Sequence, residues 1–459
     1  MGTVRQARRR VPLVIVMLPL LGASWLSTPA GAQTTSILTA QAAAAQAAAA
    51  QAAAPVAAPA QSAPQQGSAS QPPAASQVTA GFQDGFFIQT ANGDNRLVFG
   101  FTGQFDGRFS IDDPLPITNT FVLRKVRPTL SGRVARYFDF KVMPDFGSGQ
   151  TVMMDAYFDV RFSPRLRVRA GKDKTPVGYE LLIGDPFVLF PERSLATNLV
   201  PNRDVGVSLQ GDLSPQLFYA VGLFNGVPDG ASSSADVDTN QGKDLAGRIV
   251  VQPFRGGAGA PAGALTGFGF QVGGSRGKQA GALPSFRTSV GQTYFTYAAG
   301  TAAEGTRTRI SPAVFYYYKG FGGFAEFMRT NQRARRGDIV DEVVNRGWQV
   351  TGSYLLTGEA ASERTVRPRS PFDPQAGTWG ALQVLGRYTE VAFDRDTFVN
   401  GFAGAGAAKK ATSFTAGVNW YPASVFKYYL TYERTAFEGG AAPARADENV
   451  ILFRVQLGI

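Results

Sequence analysis

Leu97-Val-Phe-Gly-Phe-Thr-Gly-Gln-Phe-Asp-Gly-Arg-Phe109 is the stretch on which the fold turns. In an extended strand successive side chains point to opposite faces. One face here is Leu97, Phe99, Phe101, Gly103, Phe105, Gly107 and Phe109; the other is Val98, Gly100, Thr102, Gln104, Asp106 and Arg108. Such a strand suits lipid on one side and water on the other. The pattern recurs: Ala156, Phe158, Val160 and Phe162 alternate with Asp155, Tyr157, Asp159 and Arg161, and Phe414, Ala416, Val418 and Trp420 with Thr415, Gly417, Asn419 and Tyr421. It also ends the chain, where Ile451, Phe453, Val455, Leu457 and Ile459 share a face.

About sixteen such segments follow one another, near 96–109, 119–134, 137–145, 153–162, 165–172, 204–212, 216–224, 243–252, 265–274, 308–318, 321–329, 346–356, 379–391, 412–421, 425–436 and 448–459. Tight connections such as Ala135-Arg136, Ser163-Pro164 and Lys319-Gly320 alternate with long ones, Asp173 to Arg203, Asn225 to Gly242, Ser275 to Arg307 and Thr330 to Asn345. Pro253 to Ala264 and Thr357 to Thr378 are longer than the short side expects. Short periplasmic turns against long outer loops, with an even number of strands, are the mark of an outer-membrane barrel. The sequence therefore predicts an all-β fold, a transmembrane antiparallel β-barrel of about 16 strands, porin-like. A soluble sandwich or propeller would also alternate, but it explains neither the export signal nor the amphipathic last strand.

Composition agrees and narrows the chemistry. Gly at 53 and Phe at 34 of 459 residues favour turns and strands. His and Cys are both absent, which excludes Ser-His-Asp hydrolysis, a thiol nucleophile and an imidazole or thiolate zinc site. No cofactor, metal, catalytic residue or nucleic-acid partner is expected, and the chain reads as a non-enzyme. The net charge is +11, but Arg5, Arg8, Arg9 and Arg10 stand at the start and no further charge appears before Asp84.

Three regions follow. Residues 1–32 read as a secretory signal peptide: the four arginines, an apolar stretch from Val11 to Leu21 and the small-residue site Ala30-Gly31-Ala32. Residues 33–80 are an Ala/Gln/Pro-rich periplasmic linker, helix-prone until Pro55, Pro59, Pro64, Pro72 and Pro73 interrupt it. Residues 81–459 are the barrel. After the signal no apolar run reaches the ~18 residues a spanning helix requires.

Parity assigns the lumen. With Val126, Pro128, Leu130 and Val134 outside, Lys125, Arg127 and Arg133 point inward; Arg161 does so two strands later. Leu166, Val168 and Ala170 outside leave Arg165, Arg167 and Arg169 inside. A column of guanidinium groups between low-dielectric walls attracts anions, and the planar fork suits phosphate. The competing reading pairs these cations with the lumenal carboxylates Asp139, Asp155 and Asp159. The connection Asp173 to Arg203 is too long for an ordinary loop; folded inward, it would narrow the pore. The connection Thr330 to Asn345, with Arg333, Arg335 and Arg336, reads as a basic vestibule or a solvated run.

Several motifs carry a family resemblance: Phe121-Val-Leu-Arg-Lys-Val-Arg127, Phe138-Asp-Phe-Lys141, Asp145-Phe-Gly147, Gly171-Lys172, Arg203-Asp-Val-Gly206, Gly242-Lys-Asp-Leu-Ala-Gly-Arg248 and Asn419-Trp-Tyr-Pro422. In this order along the chain they resemble the phosphate-selective porin O and P family, over Gly81 to Ile459. The resemblance implies a trimeric sixteen-stranded outer-membrane porin of a Gram-negative bacterium with an inward-folded third loop, a ladder of arginines and a lysine-rich anion site. On this chain Arg124, Lys125 and Arg127 match the basic motif of the family's early strand. Lys174, Arg193 and Arg203 fall in the segment matching the third loop. The chain ends on Ile459, where an aromatic residue is usual. The expected partners are small anions, phosphate or chloride, together with outer-membrane lipid and two further copies of the chain. A general porin of weak selectivity, and a structural tether or adhesin, are the alternatives.

Overall fold

The computed structural model describes residues 78–83, 85–111, 117–230, 238, 240–257, 263–440 and 445–459. The signal peptide and all but the last three residues of the linker lie outside them. Those last residues open a hairpin, Val78–Phe82 with Phe86–Thr90.

Sixteen antiparallel strands close on themselves: β1 Arg96–Ser110, β2 Thr120–Val134, β3 Phe138–Asp145, β4 Val152–Ser163, β5 Leu166–Lys174, β6 Arg203–Ser214, β7 Leu217–Phe224 and β8 Asp244–Val251 form the first half. β9 Phe268–Ala282, β10 Ala302–Tyr318, β11 Phe321–Arg336, β12 Ile339–Leu355, β13 Ala381–Ala392, β14 Lys410–Ala423, β15 Phe426–Glu438 and β16 Glu448–Gly458 form the second. Each strand pairs with its sequence neighbours, and β16 pairs with β1 through Gln456 opposite Gln104 and Arg454 opposite Asp106. Ile459 finishes the seam by exchanging backbone hydrogen bonds with Phe101, 2.7 and 2.8 Å. The N-terminal hairpin continues the same edge of β1 below that point, Phe86 facing Phe99 and Gln89 facing Arg96. Closure leaves no unpaired strand edge in lipid, where each unsatisfied amide costs several kcal/mol. Among the described residues no helix is long and apolar enough to cross a membrane.

The alternation that suggested the barrel also fixes its faces. Phe99, Phe105, Phe158 and Phe162 are exposed on the outside, whereas Thr102, Gln104, Asp106, Asp155 and Asp159 are buried inside. Tyr316 and Tyr318 stack on the outer face, while Tyr317 between them turns inward to meet Tyr179.

Two of the expected loops are strand instead. Residues 330–345 continue β11 and β12 to a turn at Gly337-Asp338, and 275–307 shrinks to a connection of residues 283–301. The apolar alternation stops there because the outer face is polar and the inner face carries buried Thr330, Gln332 and Asn345 against the inward loops, yet the backbone ladder does not depend on it. The two long connections on the short side, 252–267 and 356–380, are genuine and remove no strand.

Gly171 is the one strained position in β5, with φ +126°. It sits opposite Tyr157, whose ring carries the Arg169 guanidinium 3.6 Å from its centroid. A Cβ at Gly171 would stand 2.3 Å from the Ala156 carbonyl oxygen. Gly171→Val should therefore cost roughly 2 kcal/mol or more and lower the urea midpoint of the reconstituted barrel, followed by the heat-dependent gel shift of the folded form. An unchanged midpoint would show that the backbone relaxes freely there.

Candidate functional site

The site begins with a bulge in β2. Gln104 pairs with Lys125 and Phe105 with Leu123, so Arg124 is the extra residue. Phe121 and Leu123 face out before it, Pro128 and Leu130 after it. The bulge lets two consecutive cations, Arg124 and Lys125, both reach the interior, with Arg127 next in line.

These cations meet residues 175–202, which fold into the barrel. Asp185 on that segment lies within 2.9 Å of Lys125 and of Arg193, within 3.8 Å of Arg203, and bonds Arg127 directly. Glu192 takes Arg124 at 2.6 Å, Arg454 at 3.1 Å and Arg108 at 3.2 Å. Glu180 faces Arg387 at 3.4 Å and accepts from Thr197 and the Ser194 amide. Burial alone would raise the Asp185 carboxyl, but Lys125, Arg193 and Arg127 outweigh it and hold it well below the usual carboxylate range. Glu192 is depressed in the same way, burial being overcome by Arg124 and Arg454.

Main-chain contacts seat the segment across the whole lumen. Glu326 on β11 accepts from the amides of Tyr179 and Glu180 at 2.6 and 3.1 Å. Asn419, Lys427 and Gln456 donate to the carbonyls of Leu189, Val188 and Pro186. Its apolar residues Leu195, Ala196, Leu199 and Val200 pack with Phe286 and Phe295 of the next inward loop and with Phe393. Phe295 and Phe393 stack at 3.7 Å between centroids. From the opposite end the 356–380 connection reaches in, and Glu363 accepts from the Tyr179 hydroxyl.

A cavity of about 360 Å³ is left against this segment, lined by the cations Arg108, Arg124, Lys125, Arg193 and Arg287 but by a single carboxylate, Glu192. Another of about 190 Å³ is lined by Arg169, Lys174 and Arg248 with Asp173. The arrangement is a closed barrel whose lumen is narrowed by an internal loop, with two cavities beside that loop lined by more cations than carboxylates.

The sequence model of the phosphate-selective porin O and P family matches residues 99–459. The chain belongs to that family. Among solved structures it is similar to the outer membrane channel DcaP of Acinetobacter baumannii, at 12% identity and TM-score 0.52, over 80% of this chain and 99% of that one. It is also similar to OmpT of Vibrio cholerae, at 12% and 0.48 over 80% and 98%. The anion-selective porin from Comamonas acidovorans stands at 10% and 0.48 over 80% and 100%. At such identities the likeness is one of fold. Comparison with curated sequences finds no match. The protein is an outer-membrane porin.

Within this porin the basic residues named from sequence divide into groups. Arg124, Lys125, Arg127, Arg193 and Arg203 converge on the inward segment. Arg133 and Arg161 instead share Asp139 at 3.0 and 2.9 Å. Arg167 and Arg169 share Asp159 at 3.5 and 2.7 Å, and Arg203 also holds Asp155 at 2.6 Å. Lys174 donates to the carbonyls of Leu181 and Ile183, so it anchors the loop. Arg165 is a correction: it lies in the turn between β4 and β5, exposed, because the ladder resumes only at Leu166. Arg108, Arg387 and Arg454 were missed, although Arg108 and Arg454 stand on the polar parity of β1 and β16.

A depressed carboxylate stabilises loop docking at every pH above its ordinary value, about 4, and withdraws that support only as pH falls through the lowered one. Measured as the difference between wild type and Asp185→Asn, the contribution of Asp185 to single-channel conductance should thus stay constant from pH 8 to 5 and fall away only below about pH 4. Asp185→Asn should alter conductance already at pH 7, since breaking a buried ion pair forfeits about 3–5 kcal/mol. A difference between the two pores that vanishes between pH 6 and 5, or an Asp185→Asn pore indistinguishable from wild type at pH 7, would refute this role for Asp185.

Proposed function

We propose that this porin is a passive channel preferring small anions, phosphate among them, drawn through the passage that residues 175–202 narrow. The observation that carries the reading is the 360 Å³ vestibule lined by five cations, four of them held by Asp106, Asp185 and Glu192 and the fifth, Arg287, left over. Most lumenal arginines are satisfied by fixed carboxylates and hold the walls together. Arg287 has no carboxylate partner among the described residues and is exposed to the vestibule. A surplus of this kind, between low-dielectric walls, concentrates anions and repels cations. Arginine adds paired donors for phosphate oxygens. Nothing in the passage assembles a nucleophile with a base, so transport down a gradient without catalysis is the activity proposed. A homotrimer is the assembly proposed, in keeping with the trimer form solved for OmpT of Vibrio cholerae.

The zero-current potential of the purified porin in a planar bilayer under a KCl gradient tests the reading. An anion-signed potential, with chloride current reduced by millimolar phosphate, is expected. Arg287→Gln should lower the anion-to-cation permeability ratio about twofold without disturbing the loop, because that side chain anchors nothing. A cation-signed or near-zero wild-type potential would leave a general porin; absence of channels would favour a tether.

A further inference from the structure

The basic run first read as a vestibule does not line the pore. Arg329, Arg333 and Arg335 stand on the outward parity of β11, and Arg346 on that of β12. Arg276 and Lys278 join them from β9, lining with Arg333 one groove on the outside of the wall that also holds Glu304 and Glu342. We propose that this outer face of β9–β12 binds the phosphorylated headgroup of an outer-leaflet glycolipid.

Height supports it. Phe327 and Trp348 face each other across the β11–β12 pair, and Trp348 packs on Tyr388 at 5.0 Å, an aromatic layer facing lipid. Arg329 and Arg346 are opposed in the next outward layer. From Phe321 at the lower rim to Arg329 the strand climbs about 27 Å, or about 20 Å of depth at a ~40° tilt, which approaches the outer edge of a ~25 Å apolar band. Arg333 and Arg335 continue past it.

Charge supports it too. Like charges directly opposed across a ladder are destabilising unless something lies between them, and Arg329 faces Arg346. Arg329 donates to Asn331, and Arg335 pairs with Glu304 at 2.7 Å. Arg276, Lys278 and Arg346 form no ion pair among the described residues, while Arg333 stands opposite Glu342 across the ladder, so the six cations of this face exceed its two carboxylates, Glu304 and Glu342. Elsewhere at this height the outer wall is balanced: Lys410 pairs with Glu438 at 2.6 Å and with Glu390 at 3.8 Å, and Arg434 with Asp447 at 2.8 Å. The excess is confined to four adjacent strands, a width of about 15 Å that suits a headgroup bearing two phosphates with acyl chains on the apolar wall below.

The test uses the full porin in neutral detergent with a chelator present. Retention of bisphosphorylated lipid A, its dephosphorylated form and inorganic phosphate is measured by native mass spectrometry, for wild type and for the double variant R333E/R346E. Wild type should retain the bisphosphorylated lipid at least tenfold better than the dephosphorylated one, and the double variant should lose that preference while keeping wild-type conductance. Equal retention of both lipids, or a double variant as lipid-loaded as wild type, would overturn the proposal. So would displacement of the lipid by millimolar phosphate, which would mark a free-anion site, or loss of a self-association in the variant with lipid unchanged, which would mark a contact between copies.

Discussion

Everything in the lumen depends on the charge of Asp185. Lys125 and Arg127 come from β2, Arg203 from the start of β6 and Arg193 from the loop itself, and all four surround one buried carboxylate. Without that carboxylate the cations would repel one another in a poorly screened interior, where unpaired charges are expensive to bury. Seating Asp185 also decides where the loop's apolar residues go. Leu195, Leu199 and Val200 then complete a small core with Phe286, Phe295 and Phe393, which two further inward connections supply. The loop is held by charge at one end and by packing at the other.

This has a consequence for permeation. A guanidinium locked to a carboxylate adds little to the field a solute meets, so counting lumenal arginines overstates the attraction. Arg133, Arg161, Arg167 and Arg169 are matched by Asp139 and Asp159 and brace neighbouring strands. The field arises from the remainder, above all Arg287, since of the other vestibule cations Lys125 and Arg193 turn to Asp185 and Arg108 and Arg124 to Glu192. Wall arginines and vestibule arginines are one residue type in two different jobs.

The barrel was legible because period two is imposed by strand geometry, and a residue on the wrong face of a membrane wall carries a cost that composition records. Each of the sixteen segments overlaps one strand, and six of them lie wholly within it. The limits of β9 to β12 were not legible, since there the outer face turns polar and the inner one mixes Thr330, Gln332 and Asn345 with Ala334 and Val343, so the apolar signal that marks a strand disappears. Parity placed Lys125, Arg127 and Arg133 correctly. It could not place Arg124, because a bulge is a break in parity itself; that residue came from the family motif. The partner of each arginine was hidden for another reason. Asp185 sits 58 residues from Arg127 and Glu192 68 from Arg124, and only the inward course of the loop brings them together.

Alternation gives one strand two independent sequences, an inner and an outer, and the upper half of β11 uses both. Thr330 and Gln332 face in, Thr330 bonding the Leu199 carbonyl at 2.9 Å to hold the loop. Arg329, Arg333 and Arg335 face out between them. Nothing about loop docking requires cations on the outer parity, and neutral polar residues would extend the hairpin equally well. Lipid tails cannot solvate guanidinium groups, and water alone gives no reason to gather them on one quarter of the wall. Charge left uncompensated there, while Lys410 and Arg434 elsewhere on the outer wall are paired, implies a compensating anion supplied from outside the chain.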